Sequence, residues 1–159
     1  MSIFLDTGII FGTYNADDKL HEDALAIYVS AFRGLWGRIY ASDYIIDETC
    51  TLLKAKMKPL LALQFLRAII ASKSVSIIII NEELFDKSCD LFERYPNKAG
   101  VSFTDATTLA IMSMLKIEYL ASFDGRSFDG IVSKRIGEGF FSSLSNTEKK
   151  RLMPFFKTK

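Results

Sequence analysis

The sequence has few of the residues that build disulfide frameworks, zinc sites and membrane spans. It contains two cysteines, one histidine and three prolines among 159 residues. Cys50 and Cys89 are far apart, and each lies in a helical pattern with apolar neighbours, so we interpret both as core thiols rather than as a disulfide or a paired metal site. The longest apolar run, residues 75–80 with a serine inside it, is far shorter than the roughly 20 residues that cross a bilayer.

The sequence also lacks an excess of either charge. Twenty basic and nineteen acidic residues leave a net charge of +1, so any affinity for nucleic acid must come from a local basic face rather than from a global field. The first residues carry no basic segment of the kind that begins a secretory signal, and we therefore expect a cytoplasmic protein. With 49% hydrophobic and 25% charged residues, the composition indicates a single globular domain over residues 1–159.

Apolar patterns indicate strands that alternate with helices. Strands are predicted at residues 2–5, 38–41, 75–80 and 118–123, and we expect residues 75–80 to be the central strand because they are apolar and rich in β-branched side chains. A first helix is predicted to end near residue 15. Further helices are predicted at residues 19–32, 43–57, 59–70, 82–95, 104–115 and 149–156. This alternation predicts an α/β fold, a three-layer α/β/α sandwich with a mostly parallel central sheet.

Two acidic residues follow predicted strands directly. Asp6 comes after the first strand and Asp124 after the last. Ligands of open α/β sheets bind at the carboxyl ends of the strands, so both side chains are candidate site residues.

Two further acids lie on predicted helices. At 100° per residue, Asp47 falls on a polar stripe and is predicted to be solvated, whereas Glu48 points with Tyr44 and is predicted to be turned from solvent. Asp105 lies in the first turn of a helix that is apolar nearly all round, with Thr104 as its predicted cap. The helix dipole alone could explain Asp105, but it cannot explain Glu48.

Four acids of this kind call for a cation. At about 4 Å and an effective dielectric constant near 20, two carboxylates repel each other by about 4 kcal/mol. Carboxylate oxygens suit Mg²⁺ or Mn²⁺, and His21, the only histidine, lies on the polar side of a surface-type helix, so zinc is not indicated. A divalent ion lowers the pKa of bound water and neutralises charge on a phosphodiester. We therefore interpret the pattern as a divalent-metal nuclease.

The four acids lie in four short motifs, which are Phe4-Leu5-Asp6-Thr7, Ile45-Ile46-Asp47-Glu48, Ser102-Phe103-Thr104-Asp105-Ala106, and Ser122-Phe123-Asp124 with Phe128 behind it. In order and approximate spacing, over about residues 1–140, these motifs resemble those of the PIN-domain ribonucleases. One departure is Gly8, where many members have Asn, which puts one supporting contact in doubt.

The resemblance implies a metal-dependent endoribonuclease that leaves a 5′-phosphate and a 3′-hydroxyl, an α/β/α fold and frequent homodimers. By matching positions, Asp6, Glu48, Asp105 and Asp124 would be catalytic residues and metal ligands, directly or through water, and Thr7 and Thr104 would orient them. Small PIN domains resemble VapC-type toxins, in which an antitoxin segment covers the acidic site, while others act in RNA processing. The sequence leaves both roles open.

Other residues have more than one interpretation. Arg126 is a candidate phosphate contact, since its fork matches phosphate geometry, although a solvated loop residue is the preferred interpretation. Asp129 could join the acids, although a surface or capping role is preferred. A basic set near the C-terminus could grip an RNA backbone or simply form a solvated helix: Lys149, Lys150, Arg151, Lys157 and Lys159.

Two functions other than a nuclease are alternatives for this sequence. The run Asp6-Thr7-Gly8 also resembles the Asp-Thr-Gly of dimeric aspartic proteases, but those folds are all-β, and the long helical patterns contradict them. A catalytically inactive PIN-like module that binds RNA or protein is the second alternative.

Overall fold

The computed structural model describes residues 1–96, 98 and 100–156, and it contains a five-stranded, wholly parallel sheet. The strands are β1 (Ser2–Leu5), β2 (Arg38–Ser42), β3 (Val75–Ile78), β4 (Tyr119–Ala121) and β5 (Arg135–Ile136). Their order across the sheet is β3-β2-β1-β4-β5.

Nine helices connect or follow these strands in the described part of the chain. They are α1 (Thr7–Tyr14), α2 (His21–Phe32), α3 (Asp43–Lys56), α4 (Pro59–Ala71), α5 (Glu82–Arg94), α6 (Phe103–Leu115), α7 (Gly125–Phe128), α8 (Phe140–Ser143) and α9 (Asn146–Phe156). The predicted three-layer α/β/α sandwich is confirmed, and the parallel sheet excludes the all-β fold of an aspartic protease. No helix in the described part is long and apolar enough to span a membrane.

The strand order reverses at β1, the middle strand of the sheet, and this reversal positions the site. From β1 the chain adds β2 and β3 on one side and then returns to add β4 and β5 on the other. The carboxyl ends of β1 and β4 therefore border a crevice at the switch point, where open α/β sheets bind their ligands. Ile3, Phe4 and Leu5 of β1 are almost completely buried, so a rigid core supports this crevice.

The prediction that residues 75–80 form the central strand is wrong. β3 covers only Val75–Ile78 and lies at the edge of the sheet, with β2 as its single neighbour. Ile79, just past the strand, is 65% exposed. The apolar run identifies a strand correctly, but the order of strands depends on long-range pairing, which the local pattern does not contain.

Several element boundaries also differ from the predictions. Helix α2 begins at His21 rather than at residue 19, and the Asp18 carboxylate accepts a hydrogen bond from the Leu20 backbone N–H before it. Strand β4 is shorter than the predicted 118–123, and α9 begins at Asn146 rather than at residue 149. The short elements β5, α7 and α8 have two to four residues each, too few to show a period in the sequence.

Candidate active site

Asp6 lies at the carboxyl end of β1 and caps α1. Its Oδ1 accepts a hydrogen bond from the Thr7 backbone N–H at 2.8 Å, and its Oδ2 accepts one from the Ser122 hydroxyl at 2.6 Å. The Asp6 backbone N–H donates to the carbonyl of Ala121, the last residue of β4. The carboxylate is therefore fixed by both strands that border the crevice.

Asp124 follows β4 and caps the short helix α7. Its backbone N–H donates to the Ser122 hydroxyl oxygen at 3.0 Å, so Ser122 contacts both acids of the crevice. Its carboxylate accepts from the backbone N–H and the hydroxyl of Ser127 at 3.0 and 2.6 Å. The Ser127 hydroxyl also lies 2.6 Å from the Gly100 carbonyl, and because it has one proton it donates to one acceptor at a time.

Asp105 lies in the first turn of α6, but Thr104 does not cap this helix as predicted. Ser102 is the cap: its hydroxyl accepts from the Asp105 backbone N–H, and the Asp105 carboxylate accepts from the Ser102 backbone N–H at 2.7 Å. This reciprocal pair places the cap three residues before the acid. Among the described residues, the Thr104 side chain makes no hydrogen bond with the acids, and its carbonyl accepts from Thr107.

Glu48 approaches the crevice from α3. Its Oε2 accepts a hydrogen bond of 2.6 Å from the hydroxyl of Thr7, a buried residue at the start of α1. The prediction that Glu48 is turned from solvent is wrong, because both it and Asp47 are exposed. The buried stripe of α3 is formed by Ile45, Thr49 and Leu53. Glu48 lies beside that stripe, so its long side chain reaches Thr7 from an exposed position.

Burial and mutual repulsion raise the pKa values of two of these acids. Burial raises the pKa of Asp6 from 3.8 to about 6, and the charges of Asp105 and Glu48 act in the same direction, against the hydrogen bonds from Ser122 and Thr7. Burial also raises the pKa of Asp105, where the charge of Asp124 adds to the effect and hydrogen bonds from Ser102 and Ser127 oppose it. The four acids thus interact as one electrostatic group, and hydroxyls and backbone N–H groups orient them without neutralising them.

The donor set fits a hard divalent cation that keeps part of its water shell. In the described residues, no group of three or more His, Cys, Asp or Glu side chains is arranged so that it could hold a metal ion directly. The available donors are carboxylate oxygens, the ligands that Mg²⁺ and Mn²⁺ prefer, and Mg²⁺ usually retains several waters. Water-mediated contacts therefore suit this spacing better than a compact protein cage would.

Arg126 is the basic residue that lines the acidic crevice. It is exposed, and it shares the crevice wall with Asp6, Phe123, Asp124 and Gly125. Gly8 also lines this wall, so the departure from the family pattern leaves open space there. A Cβ at this position would meet only the Phe123 ring, at 3.7 Å.

The other candidates lie away from the acids. The Asp129 carboxylate is paired with Arg135, in the surface role that the sequence favoured. His21 contacts the Gly12 carbonyl through Nδ1 and the Phe156 ring through its edge. In the C-terminal basic set, Lys149 donates to the Ser142 carbonyl, and Lys157 and Lys159 lie outside the described residues.

The residues that sequence reasoning missed are those that hold the acids. Ser102, Ser122 and Ser127 each bind a carboxylate or its backbone, and Arg135 anchors the loop that carries Asp124. The serine spacings contained a usable signal, because a serine two or three residues before an aspartate is typical of caps and side-chain turns. Arg135 had no such signal, since β5 has only two residues.

Comparison with known proteins assigns the family. The family model described as PIN domain matches residues 3–132. A VapC ribonuclease of Archaeoglobus fulgidus is 36% identical over 159 residues, which is 100% of this chain and 97% of the relative. These two matches span the crevice and all four acids.

Solved structures show the same fold. Mycobacterium tuberculosis VapC20, a sarcin–ricin loop cleaving toxin, superimposes with a TM-score of 0.69 and 27% identity over 77% of this chain and 90% of its own. A toxin–antitoxin complex from Klebsiella pneumoniae gives a TM-score of 0.58 at 20% identity over 81% of this chain and 92% of that chain, which supports the fold alone. The chain therefore belongs to the PIN-domain family and is VapC-like.

Proposed function

We propose that this protein is an endoribonuclease that depends on Mg²⁺ or Mn²⁺, and that it is the toxin of a VapBC-type toxin–antitoxin module. The observation that supports this best is the meeting of Asp6, Glu48, Asp105 and Asp124, from four separate segments, at the switch point of the sheet. The 36% identity with a VapC ribonuclease over the whole chain supports the reaction class.

In this proposal the four acids hold the metal, directly or through water. When bound, the cation supplies activation of a water molecule and neutralisation of charge on the scissile phosphate. Ser122 keeps Asp6 and Asp124 in a fixed relative position, and Thr7 directs the Glu48 carboxylate toward the crevice. Arg126 is exposed on the crevice wall, where its guanidinium can contact an RNA phosphate.

The test is hydrolysis of a labelled RNA by the purified protein with added Mn²⁺ and with EDTA. We expect cleavage with the metal and none with EDTA. The Asp105→Asn protein should fold but fail to cleave, whereas Asp47→Asn, which removes an exposed acid from the same protein, should cleave normally. Cleavage that persists in EDTA, or that survives Asp105→Asn, would refute the proposal.

One observation favours a second function, a catalytically inactive module that binds RNA or protein. In the part of the chain that the structure describes, no three candidate ligands form a direct metal site. RNA binding without hydrolysis at millimolar Mn²⁺ would support this alternative.

We further propose a VapB-like antitoxin and a second copy of the chain as partners. Large apolar side chains are exposed on α4 and after β3, namely Leu60, Leu63, Ile70 and Ile79, which supports a self-association surface. Light scattering tests the homodimer. A small DNA-binding protein encoded directly upstream would be the candidate antitoxin, and its co-purification would test that partner.

A further inference from the structure

A second polar cleft adjoins the acidic crevice on its β5 side. The two share Phe123, Gly125 and Arg126 as wall residues. The second cleft adds Asp129, Arg135, Gly137 and Glu138. Because RNA occupies an extended surface, a chain bound at the acids would continue into one of the adjoining clefts.

Arg135 is held rigidly in the wall of this second cleft. Its Nε and Nη2 donate to the two carboxylate oxygens of Asp129 at 2.6 and 2.9 Å, and its Nη1 donates to the Ser122 carbonyl at 2.9 Å. Ser122 is also the residue that binds Asp6 through its hydroxyl. The guanidinium of Arg135 is thus bound to the same residue that holds Asp6 in the acidic crevice.

This anchoring leaves part of the guanidinium available to a ligand. Arginine has five N–H groups, and the three bonds above use one on each nitrogen. One N–H on Nη1 and one on Nη2 have no protein acceptor among the described residues. Each of these N–H groups can donate a charge-assisted hydrogen bond to a phosphate oxygen.

Gly125 and Gly137 leave the space that the Arg135 guanidinium occupies. A Cβ at Gly125 would come within 2.9 Å of Nη2 and 2.7 Å of the Asp129 carboxylate, and a Cβ at Gly137 would come within 2.8 Å of Nη1 and 2.6 Å of the Ser122 carbonyl. Neither glycine has the positive φ that would by itself demand glycine. The requirement is therefore steric: any side chain at either position would displace the guanidinium.

The charges in the wall of this cleft are less acidic than those of the neighbouring crevice. Arg126 and Arg135 lie in its wall, and the Lys98 ammonium donates to the Asp129 carbonyl at 2.6 Å. Asp129 and Glu138 are the carboxylates at this cleft, and both are exposed. The wall of the second cleft thus holds two guanidinium groups and two exposed carboxylates, one of which is paired with Arg135, whereas carboxylates outnumber cations in the wall of the acidic crevice.

We propose that Arg135, together with Arg126, forms a subsite for a backbone phosphate of RNA next to the scissile phosphate. The subsite rests on the proposed ribonuclease function and specifies how its substrate is held. Arg135 supplies a guanidinium that Asp129 and Ser122 hold in place, and Arg126 supplies an exposed cation at the border of the two clefts.

The test measures binding of a short fluorescein-labelled single-stranded RNA by anisotropy, in EDTA, over a range of salt concentrations. We expect Arg135→Gln to weaken binding by about tenfold, the size of one lost charge-assisted contact. The slope of log affinity against log salt should fall by about 0.7, the value for one phosphate contact on a single strand. Arg33→Gln, which removes an exposed cation at the end of α2, five residues before β2 begins, is the matched charge control and should change neither quantity.

Asp129→Asn separates a phosphate contact from a purely structural role. It breaks the same ion pair but keeps the guanidinium, so we expect RNA binding to be retained or tightened. Equal losses in Asp129→Asn and Arg135→Gln, with an unchanged salt slope, would show that Arg135 only holds the loop, and they would overturn the subsite.

Arg135→Lys provides a second test that does not depend on the folding of Arg135→Gln. Lysine keeps the charge and loses the fork, so the salt slope should stay while affinity falls about threefold. A slope as low as that expected for Arg135→Gln would contradict the proposal. Cleavage by the wild-type protein in Mn²⁺ is scored separately: its absence would refute the ribonuclease, whereas cleavage together with unaltered binding by Arg135→Gln would refute only the subsite.

Discussion

Asp6→Asn should stabilise the metal-free protein at neutral pH. Burial and the charges of Asp105 and Glu48 raise the pKa of Asp6 from 3.8 to about 6. Folding therefore favours the protonated carboxyl, and the ionised form lowers stability. A shift of this size corresponds to about 3 kcal/mol. The hydrogen bond from Ser122 is weaker in the variant, which lowers this gain in stability by about 1 kcal/mol. The net gain is about 2 kcal/mol, or about 4–8 °C in melting temperature for a domain of this length.

The pH dependence of this gain has a definite sign. A carboxyl whose pKa is higher in the folded state destabilises the fold fully above the folded value, near pH 6, and not at all below the unfolded value, near pH 3.8. The difference between Asp6→Asn and wild type should therefore be largest at pH 7 and above, and should shrink toward pH 4.

The assay is thermal unfolding in EDTA at several pH values, with Asp47→Asn as the control for removal of an exposed acid. We expect no comparable gain in the control. A variant that is less stable than wild type at neutral pH, or a gain that does not depend on pH, would refute the electrostatic interpretation of Asp6.

Three further predictions concern the metal and the other acids. Asp105→Asn should abolish RNA cleavage while circular dichroism shows an intact fold, and near-normal rates would remove this acid from the mechanism. Asp47→Ala should leave cleavage almost intact while Glu48→Ala strongly reduces it, because only Glu48 is bound to Thr7; equal losses would contradict this distinction. Mg²⁺ or Mn²⁺ at millimolar concentration should raise the melting temperature of the wild type by mass action, and less in Asp6→Asn. An identical shift in both proteins would place the cation elsewhere.

The sequence contained enough to predict the fold class and the segments that carry the acids. Asp6 and Asp124 follow apolar strands directly, and the carboxyl ends of parallel strands share one edge of the sheet, so both acids are predicted to lie at that edge. That their strands are neighbours depends on long-range pairing. The helical periods also located α3 and α6 to within a residue or two. These features are local and strongly periodic.

Features that depend on long-range pairing or on single side chains could not be predicted in this way. The edge position of β3 depends on which strands pair, and the exposure of Glu48 depends on how α3 rests on its neighbours. Arg135 lies on a strand of two residues, which has no period to detect. Its importance becomes visible only when Ser122 and Asp129 are seen around it.

The arrangement of hydrogen bonds around the acids bears on why a cation is expected. Ser122, Thr7 and Ser102 orient carboxylates through neutral donors, while the nearby guanidinium of Arg135 is paired with Asp129 instead. A fold selected for stability alone would direct that cation toward the acids, because burial, together with the charges of Asp105 and Glu48, raises the pKa of Asp6 and makes its ionised form unfavourable. Local rules of polar satisfaction are broken most often at functional sites. Under the proposed function, this arrangement leaves the carboxylates of the crevice available to a divalent ion.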